Sequence, residues 1–321
     1  MSRPATIATG AGSSRAHGRA APRLTIGVPA WNNATTIARA LESLLAQELG
    51  EFRILVSDDG SRDDTAAICT AIAGRDPRVR VVRQPRNLRY GNFGWLLEQA
   101  DSEYFMWAAG DDRWLPGFAS ACVAELDAHP ALVAAVPRVA FEYQGNSLGL
   151  SQGTYALTGD PAANLAGFLA NPADNSRMYG VFRTAAAQRS FPRTTFHAWD
   201  WGFSAATLRF GGHAEIPEVL MVRDKTPSER YVAMVREDAR GPIERALPVL
   251  AMSRWLLGQP GMPRTRAVVR ALIALNLEKH LQYAQRFHPV WAGVAWRLIN
   301  PVLRRSRAAA RSRPDRHLRP R

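Results

Sequence analysis

The sequence predicts an α/β fold, a mostly parallel sheet flanked by helices, followed by a helical extension. Three observations carry this expectation. From Arg23 to about Tyr143, apolar runs of strand length alternate with amphipathic segments of helical length. The connections between them are short, as in a parallel sheet covered on both faces. From about Gly241 onward the apolar spacing is helical.

The elements follow in order. "LTIGVPAW" is a strand ending at Pro29. "TTIARALESLLAQ" sets Ile37, Ala40, Leu41, Leu44 and Leu45 on one helical stripe, with Thr35 or Thr36 as N-cap. "FRILVSDDGS" is a strand broken by Gly60. "DDTAAICTAIAG" is a helix with Asp63 or Asp64 at its start and Gly74 at its end. "VRVVRQP" is a third strand, "YGNFGWLLEQA" opens a third helix and "EYFMWAA" is a fourth strand. "LPGFASACVAELDAHP" is a fourth helix and "LVAAVPRVAFEY" a fifth strand. Beyond Tyr143 the alternation stops. "DPAANLAGFLANP" reads as a helix, "MYGVFRTAAAQ" as a strand entering a helix, "WDWGFSAATLRFGG" as a helix and "AEIPEVLMVRD" as a strand. "IERALPVLAMSRWLLG", "TRAVVRALIALNLEKHLQYAQRF" and "VWAGVAWRLINPVLRR" are amphipathic helices.

Charge is placed unevenly along the 321 residues, whose formal net charge is +13. Residues 1–23 carry Arg3, Arg15, Arg19 and Arg23 and no acid; residues 304–321 carry eight arginines against Asp315 alone. The intervening body is close to neutral, which argues against a nucleic-acid groove. Basic ends on a neutral body suit a tether to an anionic surface, a membrane or a nucleic acid, of which the membrane is the expected partner. The two cysteines, Cys69 and Cys122, lie in apolar helical contexts without metal-ligand spacing and are expected to be buried and reduced. The N-terminal stretch lacks an apolar signal core and reads as a disordered leader. No run approaches the ~18–20 apolar residues of a membrane span. The expected setting is therefore the cytoplasm, with peripheral association at the inner face of its membrane.

Polar residues collect at the carboxyl ends of the first four strands, where ligands of such sheets bind. The first ends at Trp31-Asn32-Asn33, the second at Ser57-Asp58-Asp59-Gly60-Ser61, the third leads to Arg86-Asn87 and the fourth to Gly110-Asp111-Asp112. A dinucleotide fold would carry G-x-G-x-x-G after its first strand. Here "VPAWNNATT" stands there instead. Asp58 and Asp59 either belong to a strand-to-helix loop whose N-cap is Asp63 or Asp64, or accept the imide N–H of a uracil or thymine. Asp111 and Asp112 would repel each other unless a cation lies between them. Mg²⁺ or Mn²⁺ binds one or two carboxylates and completes its shell with phosphate and water. A helix cap would account for one of these acids but not both.

At these residues the chain resembles a known family. Residues 24 to about 225 are similar to the family 2 glycosyltransferases with the GT-A fold. The resemblance rests on "IGVPAWNNATTIARALESLLAQ", "ILVSDDGSRDDT", "NLRYGNFGWLLEQADSEYFMWAAGDDRWLPGF", and "AWDW" followed by "GGHAEIPEVLMVR". It implies that Pro29, Trp31 and Asn32 line the nucleobase and ribose pocket and that Asp58 and Asp59 hold the base. It implies that Asp111 and Asp112 hold metal, ribose and diphosphate, and that Asp200 is the general base. Ala109 departs from the pattern, standing where the family's first acid would be. His197 is a rival base, Trp199 and Trp201 are candidate sugar-stacking or core residues, and Arg223 and Arg183 are candidate diphosphate partners or structural ion pairs.

The resemblance implies an inverting enzyme that uses a UDP- or dTDP-sugar donor and a divalent metal. The acceptor would be a glycan or lipid-linked hydroxyl in cell-surface polysaccharide, lipopolysaccharide or glycolipid synthesis. A non-catalytic sugar-nucleotide or glycan-binding module is the alternative that Ala109 raises. The expected organisation is a leader over 1–22 and a glycosyltransferase domain over 23–235, divided into a nucleotide-sugar half (23–143) and an acceptor half (144–235). Amphipathic helices over 236–303 and a basic tail over 304–321 complete it.

Overall fold

The computed structural model describes residues 22–225 and 231–311. The leader and the tail beyond Arg311 lie outside the described residues. The first half alternates as expected: β1 (Leu24–Ala30), α1 (Ile37–Leu45), β2 (Phe52–Asp58), α2 (Thr65–Ala73), β3 (Val79–Arg83), α3 (Tyr90–Glu98) and β4 (Tyr104–Trp107). Next come β5 (Arg113–Trp114), α4 (Phe118–Ala128), β6 (Leu132–Tyr143), β7 (Asn146–Leu150), α5 (Pro161–Ala170) and a 3-10 turn, Ser176–Tyr179. β8 (Val181–Arg183), α6 (Thr184–Ser190), α7 (Trp199–Thr207) and β9 (Gly212–Asp224) close the sheet region. The helices α8 (Tyr231–Asp238), α9 (Pro242–Ala246), α10 (Leu250–Leu257), α11 (Arg266–Gln285) and α12 (Pro289–Arg311) follow. The arginines at 304–311 thus continue α12, and the segment read as one helix around Leu247 is two.

The strands lie in the order β3-β2-β1-β4-β8-β6-β9-β5, with β7 paired to β6. β1, β2, β3 and β4 are parallel. Simple alternation would place the fifth strand beside the fourth. Instead β8 intervenes, antiparallel to both β4 and β6, and its Val181 and Phe182 are fully buried there. β9 runs parallel to β6 and antiparallel to β5.

β4 shows how the sheet divides the core. Tyr104, Met106 and Ala108 face one layer, shared with α1, α2 and α4. Phe105 and Trp107 face the other, shared with α3, α6 and α7. Each such large side chain contributes roughly 1.5–3 kcal/mol by leaving water. Gly27 is required by this packing, since a Cβ there would meet the Phe105 ring at 2.9 Å. Cys69 and Cys122 are buried free thiols. A third cluster joins Leu165 and Phe168 of α5 and Ala205 of α7 to Met252, Leu256, Leu272 and Leu275 of α10 and α11. The helices after residue 236 therefore share a core with the segment before them.

The caps differ in detail. Thr36 stands at the N-cap of α1 without a side-chain cap bond. At α2 it is the Asp63 side chain that accepts the Thr65 N–H, at 3.1 Å, while Asp64 makes no cap bond. Gly74 ends α2 in right-handed geometry, so no left-handed turn requires it.

Candidate active site

The ends of β1 and β2 are laced together. Asn32 has a left-handed backbone, φ 54°. Its N–H donates to Ser61 Oγ at 2.9 Å, and its Oδ1 accepts the Arg62 N–H at 2.9 Å. The Asn33 N–H donates to Thr65 Oγ1 at 2.7 Å. These bonds fix the first loop and leave the Trp31 indole 54% exposed beside half-buried Pro29. Asp58 and Asp59, expected to grip a base, are 0% and 3% exposed. Asp59 accepts the N–H groups of Leu88 and Arg89 at 2.6 and 2.9 Å, holding the loop before α3. Burial raises its pKa against those bonds. Asp58 lies 3.5 Å from the Arg83 guanidinium and faces the Ser61 N–H. Both carboxylates act here as anchors for the pocket loops.

The pair at the end of β4 divides its roles. Asp112 is 2% exposed, accepts Arg223 Nε at 3.3 Å and accepts the Asp224 N–H at 3.1 Å. The pairing of β5 with β9 delivers these partners. Burial pushes Asp112 up to about 7, opposed by Arg223. Asp111 is exposed to solvent. Its pKa is also raised, first by partial desolvation and then by the Asp224 charge, with Arg223 and Arg39 opposing. Gly110 immediately precedes this pair. It is buried, and a Cβ there would meet Ile37 and Asn33 at 3.0–3.1 Å. Its smallness serves loop packing. Ala109, in the place of the missing acid, is half-buried.

Asp200 lies in the first turn of α7, after Ala198 in a left-handed conformation, φ 60°. It accepts Asn175 Nδ2 at 3.0 Å, and burial raises its pKa. His197, the rival base, pairs its Nδ1 with Asp238 of α8 at 3.1 Å. Trp199 packs among Tyr90, Phe93 and Phe191 at 4.9–5.6 Å between ring centroids. Trp201 lies under Lys279 Nζ at 4.9 Å. Both indoles are therefore built into the protein. Arg183 donates to the carbonyls of Leu132 and Leu126 at 2.9 and 2.7 Å, a structural role away from this rim.

Segment Asp174–Tyr179 connects the two halves. Asn175, left-handed at φ 50°, holds Asp200. Ser176 Oγ accepts from Arg223 at 3.1 Å, and Arg223 stacks over Tyr179 at 4.6 Å. The charges of Asp112, Asp111 and Asp200 all raise the Tyr179 pKa, to about 12 together with burial, its largest cause. The adjacent Asp111 and Asp112 thus act on the same tyrosine as Asp200, which lies 88 positions after Asp112 in the chain.

A sequence model described as glycosyl transferase family 2 matches residues 25–192, more than half of the chain. The chain belongs to glycosyl transferase family 2. Among curated relatives, a GalNAc(5)-diNAcBac-PP-undecaprenol beta-1,3-glucosyltransferase of Campylobacter jejuni is 30% identical over 99 residues, covering 30% of this chain and 32% of that protein. The match spans about a third of that relative's length. Among solved structures, Staphylococcus aureus TarS 1-349 in complex with UDP-GlcNAc has a TM-score of 0.58 at 17% identity, covering 83% of this chain and 73% of that one. The mannosyltransferase PcManGT of Pyrobaculum calidifontis, in complex with GDP-Man and Mn2+, has a TM-score of 0.55 at 17% identity, covering 91% of this chain and 84% of that one. These two likenesses show the fold, GT-A.

This family 2 fold suits a hard cation only in company. Among the described residues no three His, Cys, Asp or Glu side chains are grouped to hold a metal. Asp111 offers an exposed carboxylate, whereas Asp112 is already committed to Arg223 and to a backbone N–H. A Mg²⁺ or Mn²⁺ ion here would therefore draw most of its shell from phosphate and water. Sequence reasoning missed Asn175, Ser176, Tyr179 and Asp224. The polar cluster "DNS" was a usable signal, since it interrupts two apolar segments.

Proposed function

We propose that this family 2 enzyme is an inverting glycosyltransferase with Asp200 as its general base. The donor is a UDP- or dTDP-sugar, and the acceptor is a hydroxyl of a glycan or lipid-linked saccharide in cell-envelope synthesis. One observation carries the reading: the Asp200 carboxylate is set at the first turn of α7 with its pKa raised, held by Asn175, and shares the Tyr179 neighbourhood with Asp111 and Asp112. A carboxylate whose pKa burial raises, with a hydrogen bond favouring its ionised form, is suited to taking a proton.

In this scheme Asp200 removes the acceptor hydroxyl proton as that oxygen forms a bond to the anomeric carbon. The bond from that carbon to the diphosphate oxygen breaks with its electron pair, so configuration inverts. The nucleobase lies against Trp31 and Pro29, beside Asn32, on loops that Asp58 and Asp59 pin in place. Asp111 holds the divalent ion, Mn²⁺ or Mg²⁺, and Asp112 positions Arg223 toward the diphosphate. When bound, the ion neutralises charge on the leaving group. The complexes of TarS with UDP-GlcNAc and of PcManGT with GDP-Man and Mn2+ support a nucleotide-sugar and a divalent ion as ligands. The Campylobacter jejuni glucosyltransferase supports a lipid-linked acceptor. Work at the inner face of the cytoplasmic membrane, with the basic tail on anionic lipid, fits that acceptor. Among the described residues no helix is long and apolar enough to cross a membrane.

The test is hydrolysis and transfer with a panel of nucleotide-sugars and Mn²⁺ or Mg²⁺. Asp200→Asn is expected to lower turnover by about 10²–10⁴-fold while leaving donor affinity intact. Unchanged turnover refutes the assignment. A wild-type protein that binds a nucleotide-sugar but neither hydrolyses nor transfers it supports the binding-module alternative that Ala109 raises.

A further inference from the structure

Helices α11 and α12 bury one face and leave another exposed among the described residues. On α11, Val268, Leu272 and Leu275 enter the core. Ile273 and Leu277, four residues apart, are 56% and 40% exposed. On α12, Val290, Val294 and Leu298 recur at intervals of four and are 82%, 55% and 73% exposed, and Trp291 is 56% exposed. The Trp291 ring lies 6.2 Å from that of His280, three residues after Leu277, so the two apolar stripes meet. An exposed apolar ridge of this extent marks an interaction surface.

The charge around the ridge identifies its partner. Between residues 266 and 311 the chain carries nine Arg or Lys and a single acid, Glu278. Glu278 is 8% exposed and bonds to Gln282. Arg266, Arg270, Arg286 and Arg297 are all exposed. Exposed arginines lie along the same helices beside these apolar residues and the tryptophan, as in helices resting in a lipid interface with long cationic side chains reaching to the headgroups. A basic border matches anionic headgroups.

We infer that the apolar ridge of α11 and α12 docks into the surface of an anionic bilayer, with Val290, Trp291, Val294 and Leu298 entering the acyl boundary. This extends the peripheral association proposed above from the tail to a folded surface, and rests on that reading only for its biological purpose. It sets the orientation of the enzyme as well as its attachment, because α11 and α12 both pack on α5, which shares a core with the helix bearing Asp200.

The test is flotation of the full chain with vesicles of phosphatidylcholine alone or with phosphatidylglycerol, at about 0.15 M salt. The wild type is expected to float with the anionic vesicles. The triple variant Val290→Gln, Val294→Gln, Leu298→Gln keeps every charge, including those of the tail, and is expected to partition at least tenfold less. The single variant Trp291→Gln is expected to fall between them. Nucleotide-sugar binding by the variants serves as the check on folding, since none of these positions belongs to the site. Equal flotation of wild type and triple variant overturns the proposal, as does a wild type that stays in solution. A wild-type dimer that the triple variant splits, with no flotation, also overturns it in favour of a second copy of the chain. An inactive protein that still floats through the ridge refutes the catalytic reading alone.

Discussion

Asn175→Gly isolates the bond on which the proposed base depends. Asn175 is 1% exposed, its Nδ2 donates to Asp200 at 3.0 Å, and its backbone is left-handed at φ 50°, ψ 37°. Glycine keeps that backbone without penalty, so the change removes the amide and not the turn. A hydrogen bond to a charged group contributes about 1.5–3 kcal/mol, and 1.36 kcal/mol is one pKa unit. The Asn175 bond favours the carboxylate form of Asp200, against the burial that raises its pKa. Its loss therefore raises that pKa further. A general base works deprotonated, so activity is present above its pKa and lost as pH falls through it. The acid limb of the kcat/KM profile should accordingly move to higher pH, with the rate on that limb falling by about tenfold or more and recovering toward wild type on the alkaline plateau. The His197 charge also lowers the Asp200 pKa. The measurement is the pH dependence of transfer at subsaturating donor. A plateau that falls while the limb stays at its wild-type pH refutes the reasoning and reduces Asn175 to packing.

Two further substitutions test the division of labour at the rim. Asp111→Asn should weaken Mn²⁺-dependent nucleotide binding at least tenfold with little loss of stability, whereas Asp112→Asn should lower unfolding stability by about 2–3 kcal/mol by weakening the largely buried contact with Arg223; calorimetry with and without Mn²⁺ separates them, and a reversed pattern refutes the assignment. Gly110→Ala pushes a methyl group against Ile37 and Asn33 at 3.0–3.1 Å, so we expect a loss of about 1–3 kcal/mol and weaker donor binding measured by titration, and a neutral result would show that the loop carrying Asn33 yields freely.

β1, β2 and β4 were legible as buried apolar runs and the edge strand β3 through its valines, each followed by polar residues at its carboxyl end. β5 and β7 were not. β5 has two residues and exists through its pairing with β9. β7 is exposed throughout, so it carries no apolar alternation. Its only local sign is the two-residue turn at Gln144 and Gly145, both with positive φ, 49° and 78°, as tight hairpins require. The insertion of β8 between β4 and β6 was invisible for a different reason. Strand order depends on long-range packing, and a three-residue strand leaves almost no periodicity.

At the site, local sequence identified which acids reach the rim but not which oxygens remain free. Asp58, Asp59 and Asp112 look alike in sequence to Asp111: each is one of an adjacent pair at a strand end. Their partners decide otherwise. Leu88 and Arg89 hold Asp59, Arg83 and Ser61 hold Asp58, and Arg223 and Asp224 hold Asp112. Arg223 lies 111 positions from Asp112 in the chain, and only the pairing of β5 with β9 joins them. The pairs are thus asymmetric, with one acid of the second pair buried as a brace so that its neighbour can stay exposed. That arrangement also explains how Asp111 and Asp112 tolerate adjacency: Arg223 lowers the pKa of both. In the proposed scheme a metal would then serve the ligand's charge rather than the protein's own stability, and the fold should assemble without it.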